Sequence, residues 1–134
     1  MRGGNSLIVL DTDVLIEIFD RKSEKGEQIL DRLEGHQVTT TSINLHEIAY
    51  GFHRIGKSLP DEIRFLYVLD FTPKDALLSA KLESQLEKSG NAAGRFDTMI
   101  AAICINRGAT IATFNTKHFE KFSEFGLKLF NFKK

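Results

Sequence analysis

Four carboxylates and two nearby polar residues could do chemistry in this chain. Asp11 and Asp13 follow the short apolar run Leu7-Ile8-Val9-Leu10. Glu47 lies in a segment whose apolar stripe, Leu45, Ile48, Ala49 and Phe52, leaves it to one side. Asp97 opens a stretch, Phe96 to Ile105, that is apolar almost all round. Thr113 and Asn115 close a β-rich run that begins at Ala109. If these acids meet they repel: two like charges ~4 Å apart cost about 4 kcal/mol at an effective dielectric near 20. Such a cluster needs protons or a cation, and hard ions such as Mg²⁺ or Mn²⁺ take oxygen donors of this type. Acid clusters holding such ions recur in phosphodiester hydrolysis, where a metal can activate water or stabilise the departing oxygen. The expected site has Asp11, Glu47 and Asp97 holding the ion directly or through water, with Asp13 as a secondary ligand. Thr113 and Asn115 would position water or phosphate, and no separate general base is assigned.

Each acid alone has a plainer explanation. Asp13 and Asp97 would complement helix N-termini, worth ~0.3–1 kcal/mol each. Glu47 would be a solvated helix residue, and Asn115 an N-cap for the helix that follows it. Asp61 and Asp75 fit capping boxes. Asp31, Glu34, Glu83, Glu87, Glu120 and Glu124 fall on polar helix faces. The functional reading therefore rests on convergence. A polyanion would also need a basic rim, drawn from Arg21, Lys22, Lys25, Arg54, Lys57, Arg95, Lys117 and Lys121. Most of these are ordinary surface residues, and Arg95 and Lys117 each lie close in sequence to one of the polar segments above.

Convergence depends on the elements. Leu7–Leu10 reads as a strand buried on both faces. A helix follows Asp11, and Ser23 to Glu34 gives a second. Gln37–Thr41 is a strand, and Ser42 is expected to cap the next helix. After a brief helical turn at Pro60, Phe65–Phe71 is a third strand. Thr72-Pro73-Lys74-Asp75 then starts a helix running to about Lys88. The apolar helix from Phe96 leads into a fourth strand, Ala109–Thr113. A short helix over Asn115–Phe122 and a last strand, Leu127–Phe132, complete the chain. Strands alternating with helices predict an α/β fold, a parallel sheet of about five strands with helices on both faces. Ligands bind such sheets beyond the carboxyl ends of the strands, where the acids fall.

The 134 residues, 42% hydrophobic and 27% charged, predict a single domain over 1–134 and argue against disorder and membrane spanning. Eighteen basic and 18 acidic residues argue against grip on nucleic acid through bulk positive charge. The first 100 residues carry 16 acids and 12 bases, the remainder 2 and 6, so the basic charge lies late in the chain. A lone cysteine, Cys104, excludes internal disulfides and a cysteine zinc site, and is expected to be an inert packed thiol. Met1–Ser6 has no long apolar stretch of a secretory signal, so a cytoplasmic setting is expected.

Four segments resemble the PIN-domain nucleases, and specifically the VapC-type toxins of type II toxin–antitoxin pairs. Val9-Leu10-Asp11-Thr12-Asp13-Val14-Leu15-Ile16-Glu17 is similar to the family's opening strand and first acid. Leu45-His46-Glu47-Ile48-Ala49-Tyr50-Gly51 resembles its second motif. Phe96-Asp97-Thr98-Met99-Ile100-Ala101-Ala102 resembles its third. Ala112-Thr113-Phe114-Asn115-Thr116-Lys117-His118-Phe119 resembles its fourth. The resemblance implies a three-layer α/β/α fold and an Mg²⁺- or Mn²⁺-dependent endoribonuclease. It also implies a homodimer and an inhibiting antitoxin through which DNA is contacted. In the fourth block many members carry a further acid. Here Asn115 and His118 stand instead: Asn115 can offer a carbonyl oxygen, and His118, with Thr113, Arg95 and Lys117, can contact phosphate.

Three other readings compete. A haloacid-dehalogenase-like phosphatase needs acids after the fourth strand, which here ends Thr-Phe-Asn. A response-regulator-like receiver would use Asp70 as phosphoacceptor and leave Glu47 and Asp97 without a role. A catalytically weak binding partner would fit the missing fourth acid.

Overall fold

The computed structural model describes residues 6–132, so the reading of Met1–Asn5 lies outside it. Five strands form one parallel sheet: β1 (Leu7–Leu10), β2 (Gln37–Thr41), β3 (Tyr67–Leu69), β4 (Thr110–Ala112) and β5 (Lys128–Leu129). Their spatial order is β3-β2-β1-β4-β5, so the apolar β1 is central. Alternate β1 residues point to opposite faces: Ile8 and Leu10 enter one core, Val9 the other. This is why the run is continuously apolar.

The Ile8/Leu10 face is covered by helix α1 (Thr12–Leu15) with the wider turn that follows, α2 (Glu24–Leu33), α3 (Ser42–Arg54) and α4 (Asp61–Arg64). They contribute Val14, Leu15, Ile18, Ile29, Leu33, Ile48, Phe52 and Ile63. The Val9 face is covered by α5 (Pro73–Lys88), α6 (Arg95–Arg107) and α7 (Thr116–Glu120), through Leu82, Leu86, Ile100, Ile103 and Phe119. The result is the expected three-layer α/β/α arrangement. The chain lays β2 and β3 to one side of β1 and β4 and β5 to the other. The carboxyl ends of β1 and β4 therefore flank the point where strand order reverses, the usual crevice of such sheets.

Several expectations change in detail. α1 does not continue as an α-helix but widens into a π-helical turn, Ile16–Arg21, closed by Lys22 at φ 51°. Gly26 explains how α2 packs there: a Cβ would stand 2.6 Å from the Glu17 carbonyl oxygen. Thr41, not Ser42, caps α3, because Thr41 keeps an extended backbone and its hydroxyl accepts the Asn44 N–H at 3.1 Å. β3 is shorter than Phe65–Phe71, since Phe65 projects to solvent beside an edge strand. β5 stops at Leu129, and Phe130 and Phe132 turn onto the Ile8/Leu10 face instead. The capping box at Thr72 and Asp75 forms, but that at Asp61 does not: Pro60 occupies the N-cap and Asp61 lies exposed near Arg64. α6 is buried along Ile100–Cys104, whereas Phe96 is half exposed. Burial pushes the Cys104 thiol up, which keeps it protonated and unreactive.

Candidate active site at the sheet switch point

The site is built outward from Asp11, the residue that follows β1. The Asp11 N–H donates to the Ala112 carbonyl at 2.9 Å, so the ladder between β1 and β4 fixes its backbone. The residue is only 6% exposed. Oδ1 accepts from Asn44 Nδ2 at 2.9 Å, and Oδ2 accepts from Thr113 Oγ1 at 2.6 Å. Asn44 is itself held: its amide oxygen accepts from Thr41 Oγ1 at 2.8 Å, which turns its NH2 toward Asp11 and toward Thr12 Oγ1 at 3.1 Å. Thr12 Oγ1 in turn donates to Glu47 Oε1 at 2.8 Å. One network thus locks the ends of β1, β2 and β4 and the first turns of α3 into a single register.

Asp13 bridges the same two strand ends. Its Oδ2 accepts the Phe114 N–H at 3.2 Å, while its buried Oδ1 has no hydrogen-bond partner. Asp97 sits in the first turn of α6 with Oδ2 3.6 Å from His118 Nδ1. Burial, and then the charge of Asp11, raise the Asp13 carboxyl to about 6. Burial and the same Asp11 charge lift Asp97, against the opposing pull of His118 and Lys121. Glu47 is lifted by burial; the Thr12 hydrogen bond opposes this, and the charges of Asp11 and Asp97 reinforce it. Asp11 is felt by all three other acids, which is the convergence anticipated from sequence. No Lys or Arg forms an ion pair with any of the four among the described residues.

The chemistry of the donor set fits a hard divalent cation. The donors are carboxylate oxygens without a matching base, and one of them is buried and unpartnered. They do not form a closed cage: among the described residues no group of three or more His, Cys, Asp or Glu stands ready to hold an ion.

The remaining expected residues are placed unevenly. Thr113 is fully in the network: its hydroxyl also accepts the Asn115 N–H at 3.0 Å. Asn115 occupies the N-cap position of α7, but its exposed side chain makes no capping bond. His118 reaches Asp97. Lys117 is exposed on α7. Arg95 turns to Glu83 at 3.0 Å, which also removes Glu83 from the purely solvated set. Asp70 follows edge strand β3, two strands from β1, and so is not a neighbour of Asp11. Sequence reasoning missed Asn44, Thr12 and Thr41. A signal existed: Thr41-x-x-Asn44 has the spacing of the capping box at Thr72-x-x-Asp75.

Comparison with known proteins agrees with this fold. The PIN domain family model matches residues 8–124. The tRNA(fMet)-specific endonuclease VapC of Salmonella typhimurium is 30% identical over 122 residues, covering 84% of this chain and 89% of the relative. Ribonuclease VapC2 of Rickettsia felis is 25% identical, covering 86% and 91%. Among solved structures, FitAcB from Neisseria gonorrhoeae superposes with a TM-score of 0.77 at 25% identity, covering 93% of this chain and 97% of that one. DNA-bound VapBC from Salmonella typhimurium gives 0.76 at 26% identity, covering 96% and 99%.

Proposed function

The chain belongs to the PIN domain family, and from that premise we propose that it is a divalent-metal-dependent endoribonuclease, the toxin of a VapBC-type toxin–antitoxin pair. One observation carries the reading. Asp11, Glu47, Asp97 and Asp13 gather at the switch point of a parallel sheet, the charge of Asp11 raises the proton affinity of the other three, and among the described residues no Lys or Arg forms an ion pair with any of them. Relatives named as VapC ribonucleases support the substrate class.

Asp11, Glu47 and Asp97 would hold Mg²⁺ or Mn²⁺, with Asp13 beside them. The ion would supply an activated water and charge stabilisation for a phosphodiester in hydrolysis. The protein's own part is orientation. Asn44 and Thr113 hold both oxygens of Asp11, and Thr12 aims Glu47. Asn115, Lys117 and His118 would meet the phosphate, and His118, beside Asp97, can donate to a phosphate oxygen. Asn115 and His118 in place of a fourth acid favour fewer metal ligands on that side. Arg95, tied to Glu83, contributes positive field rather than direct contact. A cognate antitoxin as inhibitor, DNA contact through it, a homodimer and a cytoplasmic setting belong to the same proposal. No helix among the described residues is long and apolar enough to cross a membrane.

The test is cleavage of a panel of single-stranded and structured RNAs by purified, antitoxin-free protein with Mn²⁺, Mg²⁺ or EDTA, beside a folded Asp97→Asn variant. Metal-dependent cleavage lost in the variant is expected. Equal products from both would reject the assignment of Asp97, and no cleavage with no metal binding would reject the enzyme.

A further inference from the structure

A second feature touches the acid cluster and is not explained by it. The residue after Thr113 is Phe114, whose N–H holds Asp13 while its half-buried ring turns away from the carboxylates toward α2. There it meets Phe132, with ring centroids 5.4 Å apart, and the two rings wall a groove with Lys25, Gln28, Ile29 and Arg32. Those four α2 residues follow helical i, i+3, i+4, i+7 spacing, so they share one face. That face carries two cations and no acid, whereas Glu24, Glu27 and Asp31 fall on other faces of the same helix. Lys25 lies 4.0 Å from the centroid of the Phe114 ring. Arg32 is committed differently: its guanidinium donates to the carbonyls of Asn131 and Phe132 and so ties the Phe132 ring to α2.

We propose that this groove is a nucleotide subsite of the RNA substrate, in which a base packs on the Phe114–Phe132 rings and Lys25 takes an adjacent phosphate. The inference rests on the ribonuclease reading above and specifies where the strand runs beyond the scissile bond. Stacking on aromatic rings with cations alongside is how proteins hold single strands with little sequence preference. Lys25 and Arg32 stand two helical turns apart, about 10 Å along α2, which leaves space for one base between them. The positive face also compensates for the carboxylates next door, which by themselves would repel a polyanion. Phe114 links the two sites rigidly, since its backbone serves Asp13 and its ring serves the groove. Arg32 is a positioning residue, acting through Phe132.

The experiment uses the full chain in EDTA, where no cleavage occurs, titrated with a fluorescent single-stranded RNA that the parent cleaves once Mn²⁺ is added. Phe114→Leu keeps the N–H to Asp13 and removes the ring; Lys25→Gln removes an exposed charge. Phe114→Leu is expected to weaken RNA binding about 5- to 150-fold, the range for loss of one stacked base, and Lys25→Gln to weaken it by a smaller factor. The loss should appear in KM rather than kcat, and Lys25→Gln should lower the salt slope of log K by roughly 0.7. If Phe114→Leu fails to fold by thermal melting, Lys25→Gln alone carries the test. Parent-like affinity in the folded variants, from a parent that cleaves RNA, would overturn the subsite and leave the enzyme intact. A fall in kcat without change in RNA affinity would overturn it too, assigning Phe114 to the support of Asp13. A parent that neither binds nor cleaves any RNA would remove both readings together.

Discussion

Asp11 and Asp75 are buried near opposite ends of α6, and the fold treats their charges in opposite ways. Asp11 lies at the N-terminal end, among Asp13, Glu47 and Asp97. It receives hydrogen bonds from a neutral amide and a neutral hydroxyl, Asn44 and Thr113, and among the described residues no ion pair. Asp75 lies by the last turn, fully buried, where its Oδ1 accepts from Arg107 at 3.1 Å and Asn106 at 2.8 Å. Its Oδ2 accepts the Thr72 N–H at 2.9 Å. Burial raises the Asp75 carboxyl, but the Arg107 and Asn106 hydrogen bonds outweigh it and hold the group below the usual range. Around Asp11 the balance is the reverse, with burial and like charge lifting Asp13, Glu47 and Asp97. A carboxylate that stabilises the fold is paired with a cation of the chain. A cluster left without one stores unfavourable energy at neutral pH, which an added cation can relieve.

The strongest test of this contrast separates activity from stability. Asp97→Asn should cut RNA cleavage by on the order of 100-fold or more, the scale of losing one electrostatic contributor in an active site. Its melting temperature should stay within a few degrees of the parent. Asp75→Ala should do the opposite, costing about 3 kcal/mol by leaving Arg107 with a broken buried pair. Its kcat per folded molecule, measured well below the melting transition, should match the parent. A stable Asp75→Ala protein would break the comparison.

Asn44→Ala should fall between the two, because Asn44 serves both structure and site. Losing its bonds to Asp11 and Thr12 should lower kcat about 10- to 100-fold, as for residues that orient ligands. Stability should drop by about 1–3 kcal/mol through unsatisfied buried partners. Kinetics and denaturant unfolding on one preparation check both.

Metal should act on one end only. Excess Mn²⁺ at 100 times its dissociation constant adds about 2.7 kcal/mol, so calorimetry should show a rise of several degrees for the parent and little for Asp97→Asn. Asp75→Ala should gain as much as the parent.

The smallest effect is in pH. A carboxylate raised in the folded state binds more protons folded than unfolded, so stability rises as pH falls. For Asp13 that window runs from above 6 down toward 3.8, with a gain of order 1 kcal/mol after solvent screening. Asp75, lowered in the folded state, contributes stability above its ordinary pKa of 3.8 that is lost below it, on protonation. In EDTA, urea midpoints should therefore climb modestly from pH 7 to 5 and collapse in stronger acid. Asp13→Asn should remove most of that climb, while a midpoint that falls steadily from pH 7 would contradict the lifted cluster.

Much of this molecule was legible in its residues. The continuous apolar run of β1 fixed a strand buried on both faces, and helical spacing located α2, α3, α5 and α6 to within a few residues. Thr72, Pro73 and Asp75 declared the start of α5. Asp11, Glu47 and Asp97 were identifiable because strand and helix ends in a parallel α/β fold share one edge. Short elements were less legible: β3 and β5 are edge strands whose lengths depend on pairing, and the π-helical turn depends on Gly26 approaching Glu17.

Local pattern thus determined which acids could meet, because backbone periodicity and helix caps are written within a few consecutive residues. Only the tertiary structure decided how they are held. Asn44 looks like an ordinary helix residue until β2 is paired beside β1 and its amide reaches Asp11. Thr113 and Asp11 are 102 residues apart and become partners only because β4 pairs with β1. The same holds for burial: Asp11 and Asp75 are the same side chain in sequence, and the neighbours brought by the fold give Asp75 a cationic partner in Arg107 and Asp11 the neutral donors Asn44 and Thr113.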